Sequence, residues 1–194
     1  MPLKKTIVSG YSKTENPEAK PAFFLDRDGV INIDHGYVYQ TEKLEFLENL
    51  GKVLKELSSK YLLIVVTNQS GIARKYFSID DVFKFHDYLN QKLKSEYNVI
   101  IDAFYICPDH PKFSKNCECR KPETGLLEEA VKDFNIDLEN SIMIGDKESD
   151  IECANNFGIK SIQLLGQYDR SEKADYSCSN WSEVEKLLRS MKLI

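Results

Sequence analysis

The sequence predicts an α/β protein with a Rossmann-like, doubly wound, mainly parallel sheet and helices on both faces. Three observations carry this. Short apolar runs at 22–26, 61–67, 100–106, 141–145 and 160–165 alternate with segments of helical period. The run Tyr-Leu-Leu-Ile-Val-Val-Thr at 61–67 is continuously apolar, as in a strand covered on both faces. Polar and acidic residues follow several runs directly, at the sheet edge where open α/β folds carry their sites.

Residues 1–20 are polar and aperiodic, and read as a poorly ordered extension to a single domain spanning 21–194. Within the extension, Thr6-Ile7-Val8 is a candidate short edge strand. The first core strand covers 22–26, and a loop with aromatic and polar residues covers 29–47. Leu50, Val53, Leu54 and Leu57 space an amphipathic helix over 49–59. Strand two covers 61–67. Ser78 is placed to cap a helix running to about residue 96. Strand three covers 100–106, and a Cys-rich loop covers 107–122. A helix follows over 124–134 with Thr124 as its cap, then strand four over 141–145. Asp150 to Asn156 form a helix closed near Gly158, 160–165 a fifth strand, and Trp181 to Met191 a last helix.

Composition narrows the function class. A net charge of -5 gives no electrostatic reason to bind nucleic acid. No apolar run is long enough to span a bilayer, and the basic N-terminus lacks the apolar core of a signal peptide. Three of the five cysteines lie within thirteen residues, which favours a metal site in a reducing, cytoplasmic setting over a disulfide framework.

The chemistry starts at Phe23-Phe24-Leu25-Asp26-Arg27-Asp28-Gly29-Val30. Two carboxylates at i and i+2 share one side of the chain as it leaves the sheet. Such a pair suits Mg²⁺ binding and a division of nucleophile and acid/base roles. Thr67 and Asn68 follow strand two, Asp146 and Lys147 follow strand four, and Lys121 precedes a helix. Together they fit phosphate monoester hydrolysis. Asp26 is the expected nucleophile and Asp28 the proton donor and acceptor. Thr67 and Lys121 hold the transferring phosphoryl group, and Asp146 completes a Mg²⁺ site with Asp26 and Asp28. Taken singly, each of these is an ordinary turn or strand-end residue; the ordered set is what carries the reading.

These residues are similar to the four motifs of the haloacid dehalogenase superfamily of phosphotransferases. They stand here as Asp26-Arg27-Asp28-Gly29-Val30, Thr67-Asn68, Lys121 and Gly145-Asp146-Lys147-Glu148-Ser149-Asp150. Asn32-Ile33-Asp34-His35-Gly36-Tyr37-Val38, Thr67-Asn68-Gln69-Ser70-Gly71-Ile72-Ala73-Arg74 and Cys119-Arg120-Lys121-Pro122 resemble one branch of it. That branch contains the D-glycero-D-manno-heptose 1,7-bisphosphate 7-phosphatases and the histidinol-phosphate phosphatases. The resemblance covers roughly 22–165 and implies a sheet without a large cap domain, loops at 34–37 and 107–122 closing over substrate, and a monomer. It implies that Asp28 meets the metal through its main-chain carbonyl. It also implies substrate contacts or site support from Asp34, His35, Gly36, Tyr37, Thr67, Asn68, Gln69, Ser70, Arg120, Lys121 and Lys147. Arg120 has its own rationale, because a planar fork suits a second phosphate or a sugar oxygen pair. His35 reads equally well as a locally bonded loop histidine.

The Asp-His-Gly-Tyr-Val loop favours a heptose bisphosphate as substrate, within nucleotide-activated heptose synthesis for lipopolysaccharide or surface glycan. Histidinol phosphate is the near alternative. A zinc-stabilised binding module without catalysis is the remote one, opposed by the acidic chain and by intact catalytic positions.

Cys107, Cys117 and Cys119 with a nearby imidazole offer a structural zinc set that would place Arg120 and Lys121. The relatives usually carry Cys-x-His; here Asp109 holds that position and the histidine falls at His110. Imidazole suits a thiolate-rich zinc better than carboxylate, so His110 is preferred and Asp109 competes. Cys153 and Cys178 read as small apolar fillers.

Overall fold

The computed structural model describes residues 4–8, 18–113 and 117–194. Most of the 1–20 extension and three residues of the Cys-rich loop lie outside the described residues. Seven strands form one sheet: β1 (Lys4–Ile7), β2 (Lys20–Leu25), β3 (Leu62–Asn68), β4 (Ala103–Cys107), β5 (Ile136–Gly145), β6 (Lys160–Leu164) and β7 (Tyr176–Cys178). Their spatial order is β1-β4-β3-β2-β5-β6-β7, all parallel except β1, which runs antiparallel to β4. Strand order reverses direction at β2, so the topological switch point falls where Asp26 leaves the sheet.

Five α-helices lie among the described residues: α1 (Leu50–Ser58), α2 (Ile79–Tyr97), α3 (Gly125–Asp133), α4 (Glu148–Phe157) and α5 (Trp181–Ser190). Period 2 along β2 divides the core in two. Phe23 and Leu25 join Leu50, Leu54, Phe85, Leu89, Trp181 and Leu188 from α1, α2 and α5. Ala22 and Phe24 join Leu126, Ala130, Cys153 and Ala154 from α3 and α4 on the other face. Each such large side chain contributes about 1.5–3 kcal/mol by leaving water.

Helix α2 starts at a reciprocal cap. Ser78 Oγ accepts from Asp81 N at 3.2 Å, and Asp81 Oδ2 accepts from Ser78 N at 2.8 Å. Thr124 stands at the N-cap of α3 as expected, but its hydroxyl makes no cap bond and donates to Glu128 Oε1 at 2.6 Å. Gly158, at φ 83, closes α4 in the left-handed region.

Several strand boundaries differ from the periodicity; β4, for one, starts at Ala103, three residues into its apolar run. β5 begins at Ile136, well before the apolar run, because Lys20 and Pro21 of β2 pair with Ile136 and Asp137 across a register shift. β7 lies in a stretch with no apolar run, and its three residues pair with Ile162–Leu164. The candidate edge strand starts at Lys4, and Lys5 Nζ anchors it to Glu129 at 3.0 Å and Asp133 at 2.7 Å.

Candidate active site

A cavity of about 270 Å³ opens at the carboxyl ends of β2, β3 and β5. Asp26, Asp28, Thr67, Asn68, Gln69, Lys121, Lys147 and Asp150 line it, so residues dispersed over more than a hundred positions converge.

The loop after β2 is held from beneath. Trp181, wholly buried at the start of α5, donates its indole N–H to the Val30 carbonyl at 2.8 Å. Gly29 has φ 89, and a Cβ there would stand 2.2 Å from Asp146 Oδ2. Only glycine lets the backbone approach that carboxylate so closely.

Lys121 is the hub. Its ammonium, almost fully buried, reaches Asp26 Oδ1 at 2.8 Å, Asp150 Oδ1 at 2.7 Å and the Val66 carbonyl at 2.7 Å. Burial alone would lower its pKa, but the charges of Asp150 and Asp26 outweigh that and raise it. Burial likewise opposes ionisation of Asp26, yet Lys121 and Lys147 hold its carboxyl below the ordinary value. Asn68 fixes the Lys121 main chain from both sides, donating to its carbonyl at 3.2 Å and accepting from its N–H at 3.1 Å. Asp150 Oδ2 accepts from Lys147 N at 3.0 Å, so one carboxylate caps α4 and holds the lysine.

Asp28 takes a different environment. Arg27 grips it at 2.9 and 2.7 Å, Asn32 Nδ2 donates at 3.0 Å and Gln69 Nε2 at 3.0 Å. Gln69 also donates to Thr67 Oγ1 at 2.9 Å, linking the acid/base candidate to the Thr67 hydroxyl.

Ligand oxygens of Asp26, Asp146 and Asp150 lie within 4.8 Å of one another, all buried. The sequence grouped Asp28 with Asp26 and Asp146; the third carboxylate of this cluster is Asp150, because the Asp28 side chain turns to Arg27. Asp146 Oδ1 is buried without a hydrogen-bond partner. Burial, then the Asp26 charge, push the Asp146 carboxyl up to about 8. An orphaned oxygen in an all-oxygen acidic cluster fits a hard divalent cation such as Mg²⁺.

The remaining expected residues divide. Asp34, Gly36, Tyr37, Ser70 and Arg120 line the cavity. His35 is outside its lining, with Nε2 3.6 Å from Glu45. Arg120 donates to the Asp109 carbonyl at 3.1 Å, so the Cys-rich loop does position it. Cys107, Cys117 and Cys119 come together with Sγ separations of 2.6 to 3.4 Å. A hydrogen bond from Cys119 draws Cys107 down to about 7, which favours a thiolate and hence a soft metal. The preferred fourth donor is not gathered with them. His110 Nε2 stands 2.9 Å from an Arg74 guanidinium nitrogen, and among the described residues the group consists of the three thiols. Asp109 is buried, and its main-chain N–H bonds to Cys107.

Ser149 and Tyr168 also line the cavity, although sequence reasoning assigned them no role. Ser149 stood within a motif already noted; Tyr168 follows β6, another strand with its carboxyl end on the site.

The chain has sequence relatives over most of its length. A protein of Haemophilus ducreyi named D-glycero-beta-D-manno-heptose-1,7-bisphosphate 7-phosphatase is 46% identical over 151 residues, 75% of this chain and 83% of its own. The protein of that name from Pasteurella multocida is 37% identical over 183 residues, 89% of this chain and 99% of its own. The chain belongs to the HAD-like hydrolases.

The HAD-hydrolase-like family description itself matches residues 118–183. Among solved structures, a HAD-like protein of Mesorhizobium loti has a TM-score of 0.85 at 27% identity, covering 98% of this chain and 93% of that one. The D,D-heptose 1,7-bisphosphate phosphatase of B. bronchiseptica, complexed with magnesium and phosphate, has a TM-score of 0.76 at 26% identity. It covers 88% of this chain and 99% of that one. This HAD-like hydrolase is thus a phosphoric monoester hydrolase by family. No helix of its described residues is long and apolar enough to cross a membrane.

Proposed function

We propose that the chain is a Mg²⁺-dependent phosphatase that removes the 7-phosphate of D-glycero-D-manno-heptose 1,7-bisphosphate through an aspartyl-phosphate. The observation that carries this is the Asp26–Lys121 pair at 2.8 Å, in a cavity that also presents Thr67, Arg120 and Lys147.

Asp26 attacks phosphorus as the bond to the sugar oxygen breaks. Lys121 fixes the attacking carboxylate through Oδ1 and offsets the repulsion between two anions. Thr67 Oγ1, already accepting from Gln69, donates its own hydrogen to a phosphoryl oxygen. Asp28 gives a proton to the departing alkoxide, then takes one from the water that hydrolyses the aspartyl-phosphate. Asp26, Asp146 and the Asp28 main chain would hold Mg²⁺, which would supply positive charge to offset the repulsion between the two anions. A bisphosphate brings a second dianion, which suits a cavity holding Arg120 and Lys147 besides Lys121. Histidinol phosphate brings no second phosphate for Arg120 to meet.

Zinc bound by Cys107, Cys117, Cys119 and a donor from Asp109 or His110 is proposed to stiffen the loop carrying Arg120. Five free thiols fit a reducing compartment such as the cytoplasm. The relatives include both β- and α-anomer names, the latter from Campylobacter jejuni at 43% identity. Phosphate release from both anomers and from histidinol phosphate, compared by kcat/KM, tests the reading. It predicts a heptose anomer at least tenfold ahead, about 1.4 kcal/mol in transition-state binding; preference for histidinol phosphate overturns it.

A further inference from the structure

The phosphoryl chemistry occupies the polar part of the cavity and leaves one aromatic lining residue, Tyr168, without a role. Tyr168 lies between β6 and β7, outside every motif in the sequence, yet lines the cavity with its side chain 41% exposed. Its loop is tied across the opening. Gln167 Nε2 donates to the Asp34 carbonyl at 3.0 Å. Lys147 Nζ lies 3.4 Å from Asp34 Oδ2 and 5.0 Å from the centre of the Tyr168 ring. The same ammonium is 3.7 Å from Asp146 Oδ1. The ring is therefore set against a cation that belongs to the phosphoryl site, not displayed on a loose loop.

Among the lining residues, Tyr37 and Tyr168 alone are aromatic; carboxylates, amides, hydroxyls and cations make up most of the rest. Hydroxyls and phosphates find ample partners there. The C–H face of a sugar does not, except on an aromatic ring, where it loses water against the π-face while its rim hydroxyls stay bonded.

We propose that Tyr168 is a specificity-determining residue whose ring packs on the carbon skeleton of the substrate beyond the transferring phosphoryl group. This rests on the sugar-phosphate reading above, and it adds a residue from the loop after β6 to the substrate surface. The side chain's free energy is then spent on the organic group and not on phosphoryl transfer itself, so its removal acts on discrimination between esters.

The test measures kcat/KM for purified enzyme on heptose 1,7-bisphosphate, a panel of other sugar phosphates, and ethyl phosphate, which has the phosphoryl group and no sugar face. Tyr168→Ala is expected to lower the ratio of the best sugar ester to ethyl phosphate about tenfold, chiefly through KM. Tyr168→Phe, which keeps the ring, is expected to restore that ratio to within about threefold of the starting enzyme. An unchanged ratio in Tyr168→Ala overturns the proposal, whether both activities fall together through Lys147 or neither moves. If the best sugar ester is not the heptose bisphosphate, the substrate assignment fails while the ratio still judges Tyr168.

Discussion

Arg27 and Asp28, neighbours in the chain, form a two-point ion pair, Nε to Oδ1 at 3.2 Å and Nη2 to Oδ2 at 2.7 Å, next to Asp26 in the chain. Adjacent residues at a strand end normally point apart. Here the turn at Gly29 brings the wholly buried guanidinium back onto the next carboxylate. The guanidinium also packs over the Phe85 ring at 4.7 Å and meets His86 Nε2 at 3.3 Å. The acid/base candidate is thus aimed from the core, by α2.

Arg27→Lys keeps the charge and loses the fork. Its expected effect is a fall in kcat of about tenfold with KM little changed, because aim and not affinity is lost. Steady-state kinetics over a range of substrate concentrations check this. A rise in KM at constant kcat would assign Arg27 to substrate binding instead.

Lys121→Met leaves Asp26 and Asp150 buried together without their shared cation. Loss of one donor to a developing anion costs about 10²–10³ in kcat. Removing one partner of a buried ion pair costs about 3–5 kcal/mol of stability. Urea unfolding and turnover on the same sample give both numbers, and both should fall.

His86 is buried, stacks on Phe104 with centroids 4.3 Å apart, and faces Arg27. Burial, then the Arg27 charge, hold its pKa well below 6.5. The unfolded chain protonates this histidine near 6.5 while the folded chain does not. Its contribution to stability is therefore full above that pH and is lost as pH falls below it, by up to about 1.4 kcal/mol per pH unit. Asp146, raised to about 8, acts in the opposite sense across neutral pH. The difference between the starting protein and His86→Gln isolates the histidine. Urea midpoints at pH 7.5 and 5.5 should converge in the variant.

Mg²⁺ binding should release a proton at neutral pH, since the Asp146 carboxyl, at about 8 without metal, must ionise to ligate. Isothermal titration in two buffers of different ionisation enthalpy reads the proton count. Asp146→Asn should abolish both the release and the rise in Tm with Mg²⁺.

Zinc content offers an independent check on the thiol cluster. Metal analysis is expected to find zinc in the purified chain, and Cys119→Ser is expected to lose it and lower Tm. Zinc retained at full content in Cys119→Ser would remove the cluster from the account.

Much of the catalytic floor was legible because its chemistry sits at strand ends that apolar runs announce. Asp26 follows Phe23-Phe24-Leu25, Thr67 follows Leu62–Val66, and Asp146 follows Ile142–Ile144. Lys121 precedes a helix in a loop, and its place came from motif order and not from periodicity. What escaped depends on partners distant in sequence. Asp150 holds Lys121 across the sheet, and β1 is fastened by Lys5 to α3, neither of which any local pattern encodes. β7 has three residues without an apolar run, so its pairing was invisible. His35 entered through the resemblance and His110 for its donor chemistry, and each lies against a charged side chain, Glu45 and Arg74.

The central claim is that Asp26 becomes covalently phosphorylated. Rapid acid quench during turnover of heptose 1,7-bisphosphate, followed by peptide mass mapping, tests it most directly, with Asp28→Asn included to slow breakdown of the adduct. The account predicts one added phosphoryl group on the peptide carrying Asp26, and none in Asp26→Asn. An active enzyme with the phosphoryl group on another residue, or full turnover by Asp26→Asn, would contradict it.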